Sequence, residues 1–402
     1  MEHHQWHKHG LAAYSEGDFV AARGALRRAC QLDPGNVQYL VDYGLVFVEL
    51  GIPQKAKILF SLALKRDPLF IEARFQLGNL FKSFSQLERA IEEYNAALAL
   101  NPNSARILNN RGGALHRLGD HAAAQSDFSQ AIAADSTLEP AYLNLGRLLD
   151  TQGDFTGAIK IYEQAIERSV NPAMFQHLVD SLREASPTKA PGAYVRSVFD
   201  DLAPVFDNHL VDDLGYNLPN RIAQELGGLP TGSFPTQMLV DLGCGTGLIG
   251  QKLSMQFQHL VGVDLSTRML DQAEKKGVYH ELIEGDVLAF LEKASDGSIS
   301  ALVAADVLIY LGDLEPLFAQ AARCLSAHGL LVLSTEELSG AHKYQLRKTG
   351  RFAHSPEYLR SLGTESGFTL LLEETFDLRK EVTTVVSGRL YVFRSPGPGR
   401  KS

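Results

Sequence analysis

Residues 237–248 read Q-M-L-V-D-L-G-C-G-T-G-L: an apolar run through Val240, an acid at Asp241, and glycines at 243, 245 and 247 before apolar residues resume. That order predicts a buried strand, a tight turn and the first turn of a helix. Glycine accepts positive φ and lets backbone approach a ligand closely. The helix start that follows presents free N–H groups to something electron-rich. The spacing differs from the dinucleotide fingerprint G-x-G-x-x-G, whose third glycine lies three residues after the second. Here it lies two after, and Leu248 takes the dinucleotide position.

More acids close later apolar runs. Asp264 ends the run 259–263, twenty-three residues past Asp241. An acid there, ~20 residues beyond the turn, is placed to accept hydrogen bonds from ribose hydroxyls; it also suits an N-cap for a helix starting near Ser266. Asp286 follows the run 279–283, and Asp306 follows 299–304. Ligands of open α/β sheets collect at the carboxyl ends of strands, so residues 306–311, including Tyr310, should face a ligand. Between a fifth run at 329–334 and a helix over 355–366 the chain crowds His342, Arg347, Lys348, Arg351 and His354 into thirteen residues. Positive charge there suits a carboxylate, phosphate or carboxyl-thioester.

These runs alternate with helical periods, which predicts crossover units and a mostly parallel, Rossmann-like sheet. Residues 368–376 and 388–393 read as a closing strand pair. D-L-G-C-G-T-G resembles motif I of class I S-adenosylmethionine (SAM) methyltransferases, over about half of the chain (194–394). The resemblance implies a seven-stranded sheet with its last strand antiparallel, SAM as cofactor and S-adenosylhomocysteine as product. It implies cofactor contacts from Asp241, Gly243, Cys244, Gly245, Thr246 and Gly247, with the glycines passing the methionine part. Asp264 would sit at the ribose, Leu265 would be a further cofactor contact, Asp286 would sit at the adenine amino group with Val287 against the ring, and Asp306 after strand four. The run Phe199, Asp200, Ala203, Phe206, Asp207, His209, Leu210 resembles the segment that folds over the cofactor in bacterial predicted methyltransferases carrying tetratricopeptide repeats. Tyr194, Phe206 and His209 are thus lid candidates.

The (N/D)-P-P-(Y/F/W) motif of enzymes that methylate adenine or glutamine amides is absent, and Glu336-Glu337 follows strand five, where it reads as a rim or acceptor contact at best. Methyl transfer needs alignment and a dry pocket more than a base. Should the nucleophile carry a proton, Tyr310, His354 and His209 are the titratable candidates. The core resemblance to enzymes acting on small-molecule oxygens or the free carboxyl of carrier thioesters makes O-methylation the leading expectation. A side chain of a protein is the alternative acceptor, and the acceptor's identity stays open. An inactive binding scaffold and a dinucleotide oxidoreductase are the rivals. The intact glycines and acids disfavour the first, and the glycine spacing the second.

The N-terminal half repeats every 34 residues. Glycines recur at 10, 44, 78, 112 and 146, and alanines at 22, 56, 90, 124 and 158 and again at 29, 63, 97, 131 and 165. Leu26, Phe60, Tyr94, Phe128 and Tyr162 fall between the two alanine rows. Each unit reads as two antiparallel helices that bury their open face by stacking on the next unit, giving an all-α superhelix. These residues resemble five tetratricopeptide repeats, with Trp6 on a position where that family often has tryptophan. The expected layout is a repeat array with capping helix over 3–185, a linker over 186–193 broken by prolines and glycine, and a methyltransferase domain over 194–395 with a helical lid at 194–227. Such arrays mostly hold a peptide or protein in a groove. Arg74, Asn79, Asn109, Arg111, Asn144 and Arg147 are the groove candidates. His3 and His7 could share a helix face and bind a metal, though solvated histidines read better.

Net charge is −9, which argues against nonspecific binding to nucleic-acid backbone. Cys30, Cys244 and Cys324 lie far apart, without disulfide or zinc spacing. No signal peptide or membrane-length apolar run is evident, so the expected location is the cytoplasm.

Overall fold

The computed structural model describes residues 2–203, 206–207, 215–230, 232–381 and 384–396. The chain divides into two compact units, 1–172 and 173–402. Among the described residues no helix is long and apolar enough to cross a membrane.

The first unit is five helix pairs: His3–Ser15 with Phe19–Leu32, Val37–Glu49 with Pro53–Arg66, Ile71–Ser83 with Leu87–Leu100, Ala105–Leu118 with His121–Ala134, and Glu139–Thr151 with Phe155–Glu167. Asp18, Asp120 and Asp154 cap second helices by accepting backbone N–H groups of Ala21, Ala123 and Gly157. The 34-residue period has a steric origin. A Cβ added to Gly10, Gly44, Gly78, Gly112 or Gly146 would lie 2.1–2.7 Å from Leu26, Phe60, Tyr94, Phe128 or Tyr162. The first helix of each pair therefore rests directly on the large side chain of the second, and the alanines of both rows are fully buried around it.

Most of the groove candidates are spent inside the array. The Asn79 amide oxygen accepts from the Tyr94 hydroxyl at 2.7 Å and from Asn110 of the next repeat at 2.8 Å. Asn144 donates to buried Asn109 across the following junction at 2.9 Å. Arg111 forks onto Asp127 at 2.7 and 2.6 Å, and Arg74 bonds Glu93 and the Pro68 carbonyl. Arg147 is exposed. Amides bonded across a repeat junction fix neighbouring units, because a half-buried polar group left unpaired costs about 1–3 kcal/mol. His3 meets the Tyr39 hydroxyl and His7 the Asp42 carboxylate. No group of His, Cys, Asp and Glu set to hold a metal occurs among the described residues.

Among its described residues the second unit holds a sheet of nine strands: β1 (Met238–Leu242), β2 (His259–Asp264), β3 (Glu281–Glu284), β4 (Ile299–Ala304), β5 (Leu325–Glu337), β6 (Tyr344–Leu346), β7 (Phe352–His354), β8 (Thr369–Glu381) and β9 (Thr384–Arg394). Seven run in the order β3-β2-β1-β4-β5-β9-β8, with β1 to β5 parallel and β9 antiparallel to β5. This is the expected methyltransferase-like arrangement. Alternate strand residues feed two cores: Val240, Leu242, Leu302 and Leu331 into one, Leu239, Leu260, Ala301 and Leu330 into the other. Both faces are covered, which is why these strands read as unbroken apolar runs.

Four features depart from the sequence reading. The hairpin β6–β7 joins the carboxyl end of β5 through Glu336 and Glu337, beyond the end of β4. Strand three starts later than expected, and Tyr279 lies outside it. The segment expected as a linker is hydrogen-bonded across the end of β4: Thr188 O accepts from Gly312 and Asp313 at 2.8 and 2.9 Å, and Ala190 N–H donates to Tyr310 O at 2.9 Å. The helix Pro172–Leu182, expected as the cap of the array, groups almost wholly with the second unit. Its His177 ring donates to Gly350 O at 3.0 Å.

Fully buried Phe60 supplies a test of the repeat packing. Phe60→Ala should destabilise the first unit by about 3–5 kcal/mol, read as an earlier urea transition of helical circular dichroism with the second unit's transition unmoved.

Candidate active site at the carboxyl ends of the central strands

The glycine turn after β1 is fixed by backbone donors. Gly243 and Cys244 N–H both bond Val263 O, at 2.7 and 3.0 Å. Gly245 N–H donates to one Asp264 oxygen at 2.8 Å, and Ser266 N–H to the other at 2.9 Å. Asp264 is buried enough to raise its pKa despite those bonds. At Gly243 (φ 67°) a Cβ would sit 2.2 Å from Val307, so only glycine lets the turn lie against the end of β4. At Gly245 (φ 53°) a Cβ would meet nothing within 4 Å: this side of the turn is open.

Asp241 lies beneath the turn. Its buried carboxyl accepts the Tyr279 hydroxyl at 2.6 Å, and burial pushes its pKa up to about 7. The Tyr279 oxygen in turn accepts Gly250 N–H at 3.2 Å. The tyrosine thus ties the acid to the helix Leu248–Leu253, a role that nothing in the local sequence signals.

The open side of the turn faces a cavity of about 570 Å³. Ten of the candidates for cofactor contact or proton transfer line it: Gly243, Cys244, Gly245, Thr246, Asp264, Leu265, Asp286, Val287, Asp306 and Tyr310. Asp241, Gly247 and His354 are not among the lining residues, and His209 lies outside the described residues. One Asp286 oxygen caps the helix Val287–Lys293 through Leu288 and Ala289 N–H, while the other lies 3.6 Å from the Lys189 ammonium at the cavity. Asp306 takes φ 58°, a left-handed conformation that aspartate tolerates better than most residues, and its N–H donates to Ser334.

The helix Gly192–Leu202 covers the cavity with Val195, Val198 and Phe199, and Phe206 follows. Asp200 accepts the Ser266 hydroxyl at 2.5 Å and Arg196 donates to Leu265 O at 3.1 Å, so the lid is pinned at the end of β2. Asp207 accepts from the Thr246 hydroxyl and pairs with Lys276 at 2.6 Å. Phe199 packs edge-on against both Phe206 and Tyr310. Tyr194, expected in the lid, lies on this helix but does not line the cavity; it packs on His177 with ring centroids 4.5 Å apart.

Two of the titratable candidates, Tyr310 and His354, are poorly suited to proton abstraction. Burial pushes the Tyr310 phenol up to about 12, against the pull of a hydrogen bond from Arg351. Fully buried His354 donates to Leu311 O and Gly312 O at 2.8 and 3.1 Å. Burial lowers its pKa to about 4, so it is neutral and shapes the loop after β4 from below. Glu336 is buried against Arg347, and Glu337 pairs with Arg389. Sequence reasoning missed Lys189 in the supposed linker and Tyr216 and Pro219 before β1, all of which line the cavity; Arg351, which also lines it, was named as one of the basic stretch.

A parallel sheet with a reversed β9, a glycine turn after β1 and acids at the ends of β2 and β3 together define a class I methyltransferase fold. Residues 240–333 match the family described as a methyltransferase domain, and 7–69, 78–119 and 115–182 match tetratricopeptide-repeat families. The chain therefore joins tetratricopeptide repeats to a methyltransferase domain. It is similar to the 18S rRNA (guanine-N(7))-methyltransferase RID2 of Arabidopsis thaliana, 40% identical over 81 residues, which is 19% of this chain and 28% of that protein. It is also similar to the small glutamine-rich tetratricopeptide repeat-containing protein 2 of Mycosarcoma maydis, 36% identical over 90 residues, 22% of this chain and 26% of that one. The chain spans about a quarter or less of the length of the first curated relatives it matches. Among solved structures, magnesium protoporphyrin IX methyltransferase from Synechocystis PCC 6803 aligns over 51% of this chain and 99% of that one, at 16% identity and a TM-score of 0.39.

His354 gives the site a pH signature. Its folded pKa near 4 lies below the unfolded value near 6.5, so the neutral ring stabilises the fold above pH 6.5. That contribution is lost as pH falls toward 4, because the unfolded chain then binds the proton that the folded chain refuses. Between those values wild type should lose of order 3 kcal/mol, at about 1.4 kcal/mol per pKa unit, that His354→Gln does not lose. Urea unfolding of both chains across this range measures the difference.

Proposed function

We propose that the second unit transfers a methyl group from SAM to an acceptor oxygen, a carboxylate or hydroxyl of a small or carrier-bound molecule, while the repeats recruit a protein partner or the acceptor itself. The observation that carries this reading is one cavity lined at once by the glycine turn, by Asp264 and Asp286, and by Tyr310 at the end of β4.

The lining fits the cofactor. Gly245 leaves open space where backbone can approach a ligand. Asp264 would accept ribose hydroxyls with lone pairs beyond those already given to Gly245 and Ser266. The Asp286 oxygen that does not cap its helix would face the adenine amino group, with Leu265 and Val287 flanking the ring. Gly243, Cys244, Thr246 and Asp306 would surround the methionine part. Asp241 and Gly247 would act through the turn they hold. Bound SAM supplies a methyl group already activated on a sulfonium.

The chain's own contribution is alignment and dryness. Val195, Val198, Phe199 and Phe206 line the cavity with apolar surface. A phenol held protonated and a histidine turned to backbone carbonyls favour an acceptor oxygen that arrives ionised, a carboxylate before a hydroxyl. On this reading the working methyltransferase unit begins with the helix Pro172–Leu182, ahead of the boundary expected at 186, since His177 and the 188–190 segment both brace it.

Calorimetric titration with SAM and S-adenosylhomocysteine tests the assignment. Asp264→Ala should weaken binding by on the order of 1.5–3 kcal/mol, a hydrogen bond to a charged group, or roughly ten- to a hundredfold. A wild-type chain that binds neither compound would defeat the reading.

A further inference from the structure

The basic stretch after β5 was a crowd in the sequence; the structure sorts it. Lys343 pairs with Glu315 at 3.1 Å. Arg347 pairs with buried Glu336 and donates to Glu337 O at 2.5 Å. His354 is buried under the loop after β4. Of the stretch, Arg351 lines the cavity.

Its position is built. Arg351 leaves the tip of the β6–β7 hairpin directly after Gly350, which has φ 76°. Gly350 O accepts the His177 ring N–H at 3.0 Å, and Gly350 N–H donates to Arg347 O at 2.9 Å. A Cβ on Gly350 would lie 2.3 Å from the Tyr194 hydroxyl, and Arg347 N–H bonds Arg351 O at 2.8 Å. Backbone is therefore held from the helix Pro172–Leu182, from the lid helix and from within the hairpin. The guanidinium reaches the Tyr310 phenol oxygen, whose ring meets Phe199. A planar fork of N–H donors next to a phenolic hydroxyl, in a cavity walled by Val195, Phe199 and Phe206, is suited to a flat anion on an apolar body.

We propose that Arg351 and Tyr310 form the acceptor's anion subsite, and that the acceptor is an organic acid whose carboxylate they hold while its apolar portion lies under the lid. The proposal deepens the methyltransferase reading and rests on it for the word acceptor; the subsite itself does not. Lysine is a poor substitute at such a site, because a point charge cannot form the two parallel bonds that a guanidinium offers a carboxylate.

The experiment is titration of octanoate and its neutral counterpart octanamide into the full chain, with and without saturating S-adenosylhomocysteine, for wild type, Arg351→Met and Arg351→Lys. Wild type should prefer octanoate by at least tenfold. Arg351→Met should lose that preference by weakening octanoate alone, Arg351→Lys should keep a reduced one, and neither should change affinity for S-adenosylhomocysteine. Equal binding of acid and amide by wild type, no binding of octanoate, or an undiminished preference in Arg351→Met overturns the proposal. Failure to bind S-adenosylhomocysteine defeats the cofactor reading instead, and the titrations without it still decide the role of Arg351. Should Arg351→Met not fold, the acid–amide comparison in wild type and Arg351→Lys decides alone.

Discussion

Two backbone N–H groups converge on one half-buried carboxylate, that of Asp264, and the second unit is arranged around that junction. The bonds from Gly245 and Ser266 fasten the turn after β1 to the start of the helix after β2. Burial makes the charge costly, as its raised pKa records, and backbone donors are what make it tolerable. The junction also sets the lid. Ser266, whose N–H is one of the two donors, gives its hydroxyl to Asp200, and Leu265 between them gives its carbonyl to Arg196. The cover of the cavity and the turn at its floor thus share a single anchor. Removing the carboxylate would loosen both, so a loss of ligand affinity at this position reports the turn as well as any direct contact.

The two units draw on different physics, and that decided what could be read in advance. In the repeats the period is imposed by contact: a glycine must face each of Phe60, Tyr94, Phe128 and Tyr162, so the spacing was visible as soon as one unit was compared with the next. The strands β1, β2, β4 and β5 were legible for another reason. Covered on both faces, they are apolar throughout, and the turn and the acids punctuate them. The acids then fell where strand ends place them, around one cavity.

What escaped the reading was decided by long-range partners. β6 and β7 have three residues each, too few to show alternation. Residues 186–192 carry two prolines and a glycine, which predict a break in helix but not whether the released backbone finds partners; here it finds Tyr310, Gly312 and Asp313. Asn79, Asn109 and Asn144 have the chemistry of groove residues and are used to join neighbouring repeats, because an amide's destination depends on what stands about one repeat away. Tyr279 and His354 looked like a strand residue and a base. Burial makes one a strut under the glycine turn and the other a neutral donor to the loop after β4.

The same burial constrains the chemistry proposed for the cavity. It drives the Tyr310 phenol upward and the His354 imidazole downward, so neither group exchanges a proton readily near neutrality. A dry pocket of this kind favours a nucleophile that enters already ionised. Such an anion must shed water, at a cost of several kcal/mol, and an apolar lid offers it nothing in return. The offset has to come from a fixed cation with matching geometry. Arg351, held by a hairpin that is itself bonded to His177, stands where that requirement falls. On the proposed reading dryness and charge are not separate features of the site: the more completely the lid excludes water, the more the selection of the acceptor depends on the cations that line the cavity among the described residues, Arg351 and the Asp286-paired Lys189.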